Sequence, residues 1–168
     1  GKMLLTDEIL YLSKGTTQML RGKYEVLAEL KGKEMIGWAY DGPFDDLTAA
    51  QAPGGWTELK EIIADITVSA KEAHRIIPWA EVSEEEGTGI VHIAPGAGAE
   101  DYALGKEHGL PIIAPLDDEG YVVDGFDWLT GMQVSDVADP IFENLEEKGL
   151  LYHVEPYTHR YPTCWRCK

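Results

Sequence analysis

The 168-residue sequence predicts an α+β, β-rich domain, a twisted or barrel-like sheet with peripheral helices. Three observations point there. Short apolar runs of strand character recur along the chain, helical segments are few and brief, and the two do not alternate as a doubly wound sheet requires.

The elements follow in order. Ile9–Leu12 is a short β-like run, and Thr16–Arg21 fits a brief helix. Tyr24–Leu30 and Met35–Tyr40 alternate apolar and polar residues loosely, as strands with one wet face do, and Gly32 and Gly42-Pro43 punctuate them. Asp41–Gly55 is turn-rich and is expected to be an exposed excursion. Trp56–Ala64 fits a short amphipathic helix, after which Ile66–Val68 and His74–Val82 return to strand. Glu100–His108 has helical spacing, and Gly109 stops it as a C-cap residue would. Leu110–Leu116 reads as a buried strand, Asp117–Gly120 as a turn and Tyr121–Val123 as a strand. The clearest helix comes next, capped by Asp136 or Asp139 with Pro140 near its first turn, Ile141 and Leu145 inward with Phe142 as a further candidate, and Gly149 at its end. Leu150–Val154 is the last strand.

Composition narrows the classes. The length suits one domain with a full core and no size-driven need for disulfides. No apolar run reaches the ~18 residues of a transmembrane helix, so no membrane partner is expected. The N-terminus lacks the charged and apolar regions of a signal peptide, and Gly1–Leu5 reads as a cut from something longer. A cytoplasmic location follows as an expectation. The net charge of −16 argues against a broad nucleic-acid surface, though not against one local basic patch such as His159, Arg160, Arg166 and Lys168.

Chemistry concentrates in Gly87–Asp101, GTGIVHIAPGAGAED. A strand, a glycine-rich turn and a helix start bring main chain close to a ligand, because glycine has no Cβ to obstruct the approach. By alternation His92 points opposite to Val91 and Ile93. It is either a histidine on a solvated or hydrogen-bonded face, or a pocket-lining group whose bulk limits what enters. Asp101 either complements the dipole of the helix it begins or pairs with a ligand cation such as an α-ammonium. Cys164 and Cys167 form one C-x-x-C, half the ligands of a structural zinc site, with His153 and His159 as neighbouring donors. No serine–histidine–acid set, H-E-x-x-H or phosphate-cradling G-x-x-x-x-G-K occurs. Hydrolysis here would therefore need no covalent nucleophile.

Three segments together resemble isoleucyl-tRNA synthetases. Gly87–Asp101 is similar to that family's editing signature with its V-H-x-A-P core, and His92 favours the isoleucyl over the valyl and leucyl branches. Tyr161–Cys167 resembles the family's Y-P-x-C-W-R-C at the exit of the editing insertion. Lys31–Glu34, Trp38–Tyr40 and Pro43-Phe44 match a third motif more loosely. The resemblance implies an editing domain over 1–158 of the valyl/isoleucyl/leucyl type and an exit segment over 159–168. The implied reaction is hydrolysis of valine mischarged onto isoleucine tRNA, and of valyl-adenylate as a further substrate. Asp101 would hold the amino group and act as the catalytic carboxylate, while His92 would line the side-chain pocket. Thr88, Gly89 and the turn Ala94, Pro95, Gly96 and Ala97 would complete wall and main-chain contacts. The need for such a site is general: a missing methylene is worth only ~1–3 kcal/mol, and the worked case is this same pair of amino acids, at about 150-fold.

The implied partners are the aminoacylated 3′ end of isoleucine tRNA and the rest of an ATP-using parent synthetase. No cofactor is implied for editing; zinc at Cys164 and Cys167 is implied for the parent. One family feature has no counterpart. The threonine-rich T-T-x-P-W-T-like strand is not matched, because Gln18 and Met19 follow Thr16-Thr17. Two rival readings follow from these features: a module that binds the aminoacyl end without hydrolysing it, and a small zinc-dependent interaction domain.

Overall fold

The computed structural model describes residues 8–85 and 87–156. The architecture is mixed α/β, with a small sheet and several short helices. Five α-helices occur among these residues: α1 (Gly32–Met35), α2 (Thr48–Gln51), α3 (Ala70–Ala73), α4 (Ala99–His108) and α5 (Ala138–Glu147). Two strands, β1 (Gly55–Trp56) and β2 (Ile112–Ile113), pair in parallel. Short 3-10 turns cover Lys14–Met19, Lys60–Ile63, Asp127–Leu129 and Val134–Asp136.

The core gathers where small residues permit close approach. Leu47, Ala49 and Ala50 pack against Val122, Phe126 and Leu129, all buried. Ala49 N–H donates to the Gly125 carbonyl at 2.8 Å, and Thr48 donates through N–H and hydroxyl to the Asp127 carboxylate at 3.1 and 2.9 Å. These bonds weld α2 to the 122–129 segment. The expected exposed excursion over 41–55 is thereby corrected. Its Gly, Pro and Asp residues do make turns, but Leu47 and the Ala pair between them present an apolar face with no bulk to keep the partner away. Gly55 shows the same closeness at β1: with φ +102°, a Cβ there would lie 2.1 Å from the Ile112 carbonyl oxygen.

The two long helices sit where the spacing predicts them. Gly109 ends α4 in the left-handed region (φ 63°), its N–H and that of Leu110 both turning back to Gly105 O. α5 is amphipathic, with Ile141, Asn144 and Leu145 half-buried. Neither Asp136 nor Asp139 caps it. The preceding 3-10 turn leads into the helix directly, and the Asp136 carboxylate accepts from Ser135 instead.

Fewer strands form than the alternation predicts. Met35–Tyr40 and His74–Val82 do meet, through an antiparallel bridge between Ala39 and Arg75 flanked by Gly37 N–H to Ile76 O at 2.8 Å and Ile76 N–H to Trp38 O at 2.9 Å. Tyr24–Leu30 differs: among the described residues no backbone–backbone hydrogen bond reaches it, and Leu27 is 69% exposed. Alternation reports a face suited to burial; a ladder also needs a partner in register. Trp56–Ala64 likewise divides into β1 and a 3-10 turn, because Trp56 is taken up by pairing with Ile113.

Candidate active site

The turn at the centre of Gly87–Asp101 is fixed from two sides. Ala97 N–H donates to Ala94 O at 2.9 Å, closing a four-residue β-turn. Gly96 lies so near β2 that a Cβ would fall 1.8 Å from the Ile113 carbonyl oxygen. Pro95 rests on Gly105 of α4, where a Cβ would come within 2.8 Å of the proline ring. Upstream, Ser13 N–H donates to Thr88 O at 2.7 Å, and Gly89 (φ +74°) packs on Ser13. The Thr88 hydroxyl donates to Ile90 O at 3.0 Å, which shapes the approach to His92.

This framework forms one side of an open, mainly apolar cleft of about 1380 Å³. Thr88, Gly89, His92, Ala94, Pro95 and Ala97 all line it, so most of the sequence-predicted substrate contacts share one concavity. His92 is exposed there. Gly96 faces β2 rather than the cleft. Asp101 stands in the first turn of α4, half-buried, its Oδ2 turned towards Gly98, and it is not among the lining residues. Cys164, Cys167 and His159 lie outside the described residues. The described donor His153 is engaged elsewhere, 2.8 Å from the Arg21 guanidinium. Among the described residues no cluster of three metal-ligating side chains forms.

The cleft lining also includes groups that sequence reasoning missed. Tyr40 stacks on His74 with ring centroids 4.9 Å apart and planes 9° from parallel. His74 Nδ1 lies 3.3 Å from Asp45 Oδ1, off the line of a hydrogen bond. The other Asp45 oxygen accepts Gly42 N–H at 2.7 Å, so the carboxylate ties a turn to the cleft wall. Burial, and secondarily the Asp45 charge, push the Tyr40 phenol above its ordinary value. The local signal was G-P-F-D over 42–45, a turn with a carboxylate able to reach back to its own first amide. Its pairing with distant His74 has no sequence signal.

Comparison with known proteins decides the lineage. The chain is 36% identical over 162 residues to the isoleucine–tRNA ligase of Clostridium tetani, matching 96% of this chain and 14% of that protein. It is 41% identical over 144 residues to the isoleucine–tRNA ligase of Aquifex pyrophilus, covering 85% of this chain and 25% of that protein. Over most of its length the chain matches a part of isoleucine–tRNA ligases. The isoleucine–tRNA ligase of Pyrococcus horikoshii adds a match at 40% identity over 166 residues, 96% of this chain and 14% of the relative. The chain thus spans between one seventh and one quarter of the length of these ligases. No family model matches it. Among the described residues no helix is long and apolar enough to cross a membrane.

Proposed function

We propose that this chain is the editing module of an isoleucine–tRNA ligase, a hydrolase of valine esterified to isoleucine tRNA, working in the cytoplasm beside the parent's ATP-dependent synthetic site. The observation that carries this reading is the shared concavity of Thr88, Gly89, His92, Ala94, Pro95 and Ala97, in a chain that matches isoleucine–tRNA ligases over most of its length. The cleft is mainly apolar, as a sieve for aliphatic side chains must be, and the His92 imidazole on its wall limits their size.

In this mechanism water attacks the ester carbonyl carbon, and the negative oxygen that develops is stabilised by main-chain N–H groups of the glycine-rich turn. The carbon–oxygen ester bond then breaks. The terminal ribose hydroxyl leaves with a proton, and free valine is the other product. Asp101 anchors the α-ammonium once its carboxylate swings from Gly98 towards the cleft. The antiparallel meeting of Met35–Tyr40 with His74–Val82 supports a more complete twisted or barrel-like sheet within the parent. Cys164 and Cys167 would supply two thiolates to a structural zinc ion in the parent.

The test is deacylation of valyl- and isoleucyl-tRNA by the 168-residue chain, followed by amide shifts on titration with non-hydrolysable valyl- and isoleucyl-adenosine analogues. Valine-selective hydrolysis, lost by about 100-fold or more in Asp101→Ala, is the expected result. His92→Ala should narrow the preference for valine by about 10-fold or more. Valine-selective shifts near His92 without hydrolysis would favour the binding module, the reading motivated by the unmatched threonine-rich strand. Silence with both analogues would sink the editing assignment.

A further inference from the structure

His74 and Tyr40 line the same cleft as His92, yet the editing mechanism gives neither of them a task. His74 follows α3 as its C-cap residue, and its ring is held from three directions. Tyr40 stacks on one face with the planes 9° from parallel, which fixes the tilt. The Nδ1–Cε1 edge lies against Gly42, where a Cβ would come within 2.3 Å of Cε1 and 2.8 Å of Nδ1. Asp45 Oδ1 stands 3.3 Å from the same Nδ1. Asp45 is itself fixed: its Oδ2 accepts Gly42 N–H at 2.7 Å, and its carbonyl accepts Gln51 Nε2 at 3.0 Å. Lys148 of α5 donates to Pro43 O at 2.7 Å and to Asp46 Oδ1 at 2.9 Å, clamping the turn on either side of Asp45.

Asp45 Oδ1 and His74 Nδ1 are both buried, and neither has a hydrogen-bond partner among the described residues. Orphan buried polar atoms are costly, and these two stand opposite each other. A proton on Nδ1 relieves both after a small rotation, whereas a bare Nδ1 would set its lone pair against the carboxylate. The neutral ring then carries its N–H at Nδ1 and a free lone pair at Nε2. Nε2 differs from Nδ1: among the described residues it makes no hydrogen bond, and it is not buried. With Nδ1 covered, the 20% of the side chain that stays exposed lies on the rest of the ring. A carboxylate that holds one ring nitrogen so that the other can take a proton is the arrangement histidine uses as a base.

We propose that His74 Nε2 is a general base that activates water against carboxylic esters entering the cleft, with Asp45 and Tyr40 as its positioning residues. Nε2 takes a proton from water as the water oxygen bonds to the ester carbonyl carbon. The carbon–oxygen bond to the leaving group then breaks, and the proton passes from Nε2 to the departing oxygen. A carboxylic acid and an alcohol are the products, and the imidazole returns to its starting form. The proposal deepens the editing reading and rests on it for the aminoacyl ester as natural substrate; the base itself acts on any ester that reaches it.

Two measurements on the 168-residue chain test this. The first is the tautomer of the neutral His74 ring, read from its ring-nitrogen NMR shifts. The second is release of nitrophenolate from valine p-nitrophenyl ester, which needs no tRNA. The parent chain should show Nδ1–H, and Asp45→Asn should convert it to Nε2–H, because an amide can donate to Nδ1. His74→Asn and Asp45→Asn should each slow ester hydrolysis by about 100-fold through kcat, with KM and circular dichroism unchanged. A bare Nδ1 with Nε2–H in the parent chain, or ester hydrolysis by His74→Asn within twofold of the parent, would overturn the base. The two readings fail separately. Valyl-tRNA deacylation that survives His74→Asn at the parental rate keeps editing and sinks the base; nitrophenyl-ester hydrolysis lost in His74→Asn, from a chain that does not deacylate valyl-tRNA, does the reverse.

Discussion

The packing around Phe126 and the cleft around His92 use similar residues to opposite ends. In the first, Ala49 and Ala50 bring one backbone onto another and Phe126 fills what remains, leaving it 6% exposed. In the second, backbone contact is as close at Gly96 and the Pro95 ring sits on Gly105, but the larger side chains stand away from them, and Ile90, Val91 and Trp38 keep between 41% and 47% of their surface. Apolar content alone therefore does not separate a core from a site. The arrangement of small residues does: on both sides of a contact they close it, and on one side only they leave a wall facing open space.

Three substitutions probe that contrast. Phe126→Ala should have the largest effect on stability, about 3–5 kcal/mol, seen as a lower urea midpoint, because the surrounding alanines cannot expand into the void. If the loss is under about 1 kcal/mol, the 47–129 cluster is not the principal core. Gly96→Ala comes next. The Cβ must displace β2 or the turn, since both contacting groups are backbone, and a cost of about 1–3 kcal/mol is expected together with loss of valyl-analogue binding. Retained binding at parental affinity would show that turn and pocket are independent.

Ser69→Ala is the smallest, about 1 kcal/mol, through the capping box in which Ser69 Oγ accepts Glu72 N–H and the Glu72 carboxylate accepts from Ser69. Those hydrogen bonds hold the Glu72 carboxyl below its ordinary value. A depressed acid contributes stability above its unfolded pKa and loses it as the pH falls through the folded one. The gap between Ser69→Ala and the parent chain should accordingly narrow below about pH 4.5. A gap constant down to pH 3 would mean that Glu72 plays no part in the cap.

These comparisons also explain what the sequence could tell. α4 with its Gly109 stop, and α5 with Ile141 and Leu145 inward, were legible because a helix closes its hydrogen bonds locally and its signals lie within a few residues. Thr88, His92, Ala94, Pro95 and Ala97 share one concavity because they lie in one short stretch, whereas Gly96 and Asp101 of the same stretch do not line it. The S-x-x-E of Ser69–Glu72 was there to be read as well, and its signal was local. What stayed hidden depends on contacts between distant segments. Asp45 with His74 and Ala49 with Gly125 each join stretches that nothing in their spacing connects.

The seating of Gly96 on Ile113 has a consequence for working conditions. Both contacting groups are main chain, so nothing in that contact gains or loses a proton and nothing in it is screened by ions. Acidity and ionic strength should alter how the cleft's charged groups act while leaving its width at the turn the same. Temperature, which loosens β2 itself, is the variable that would change the gauge.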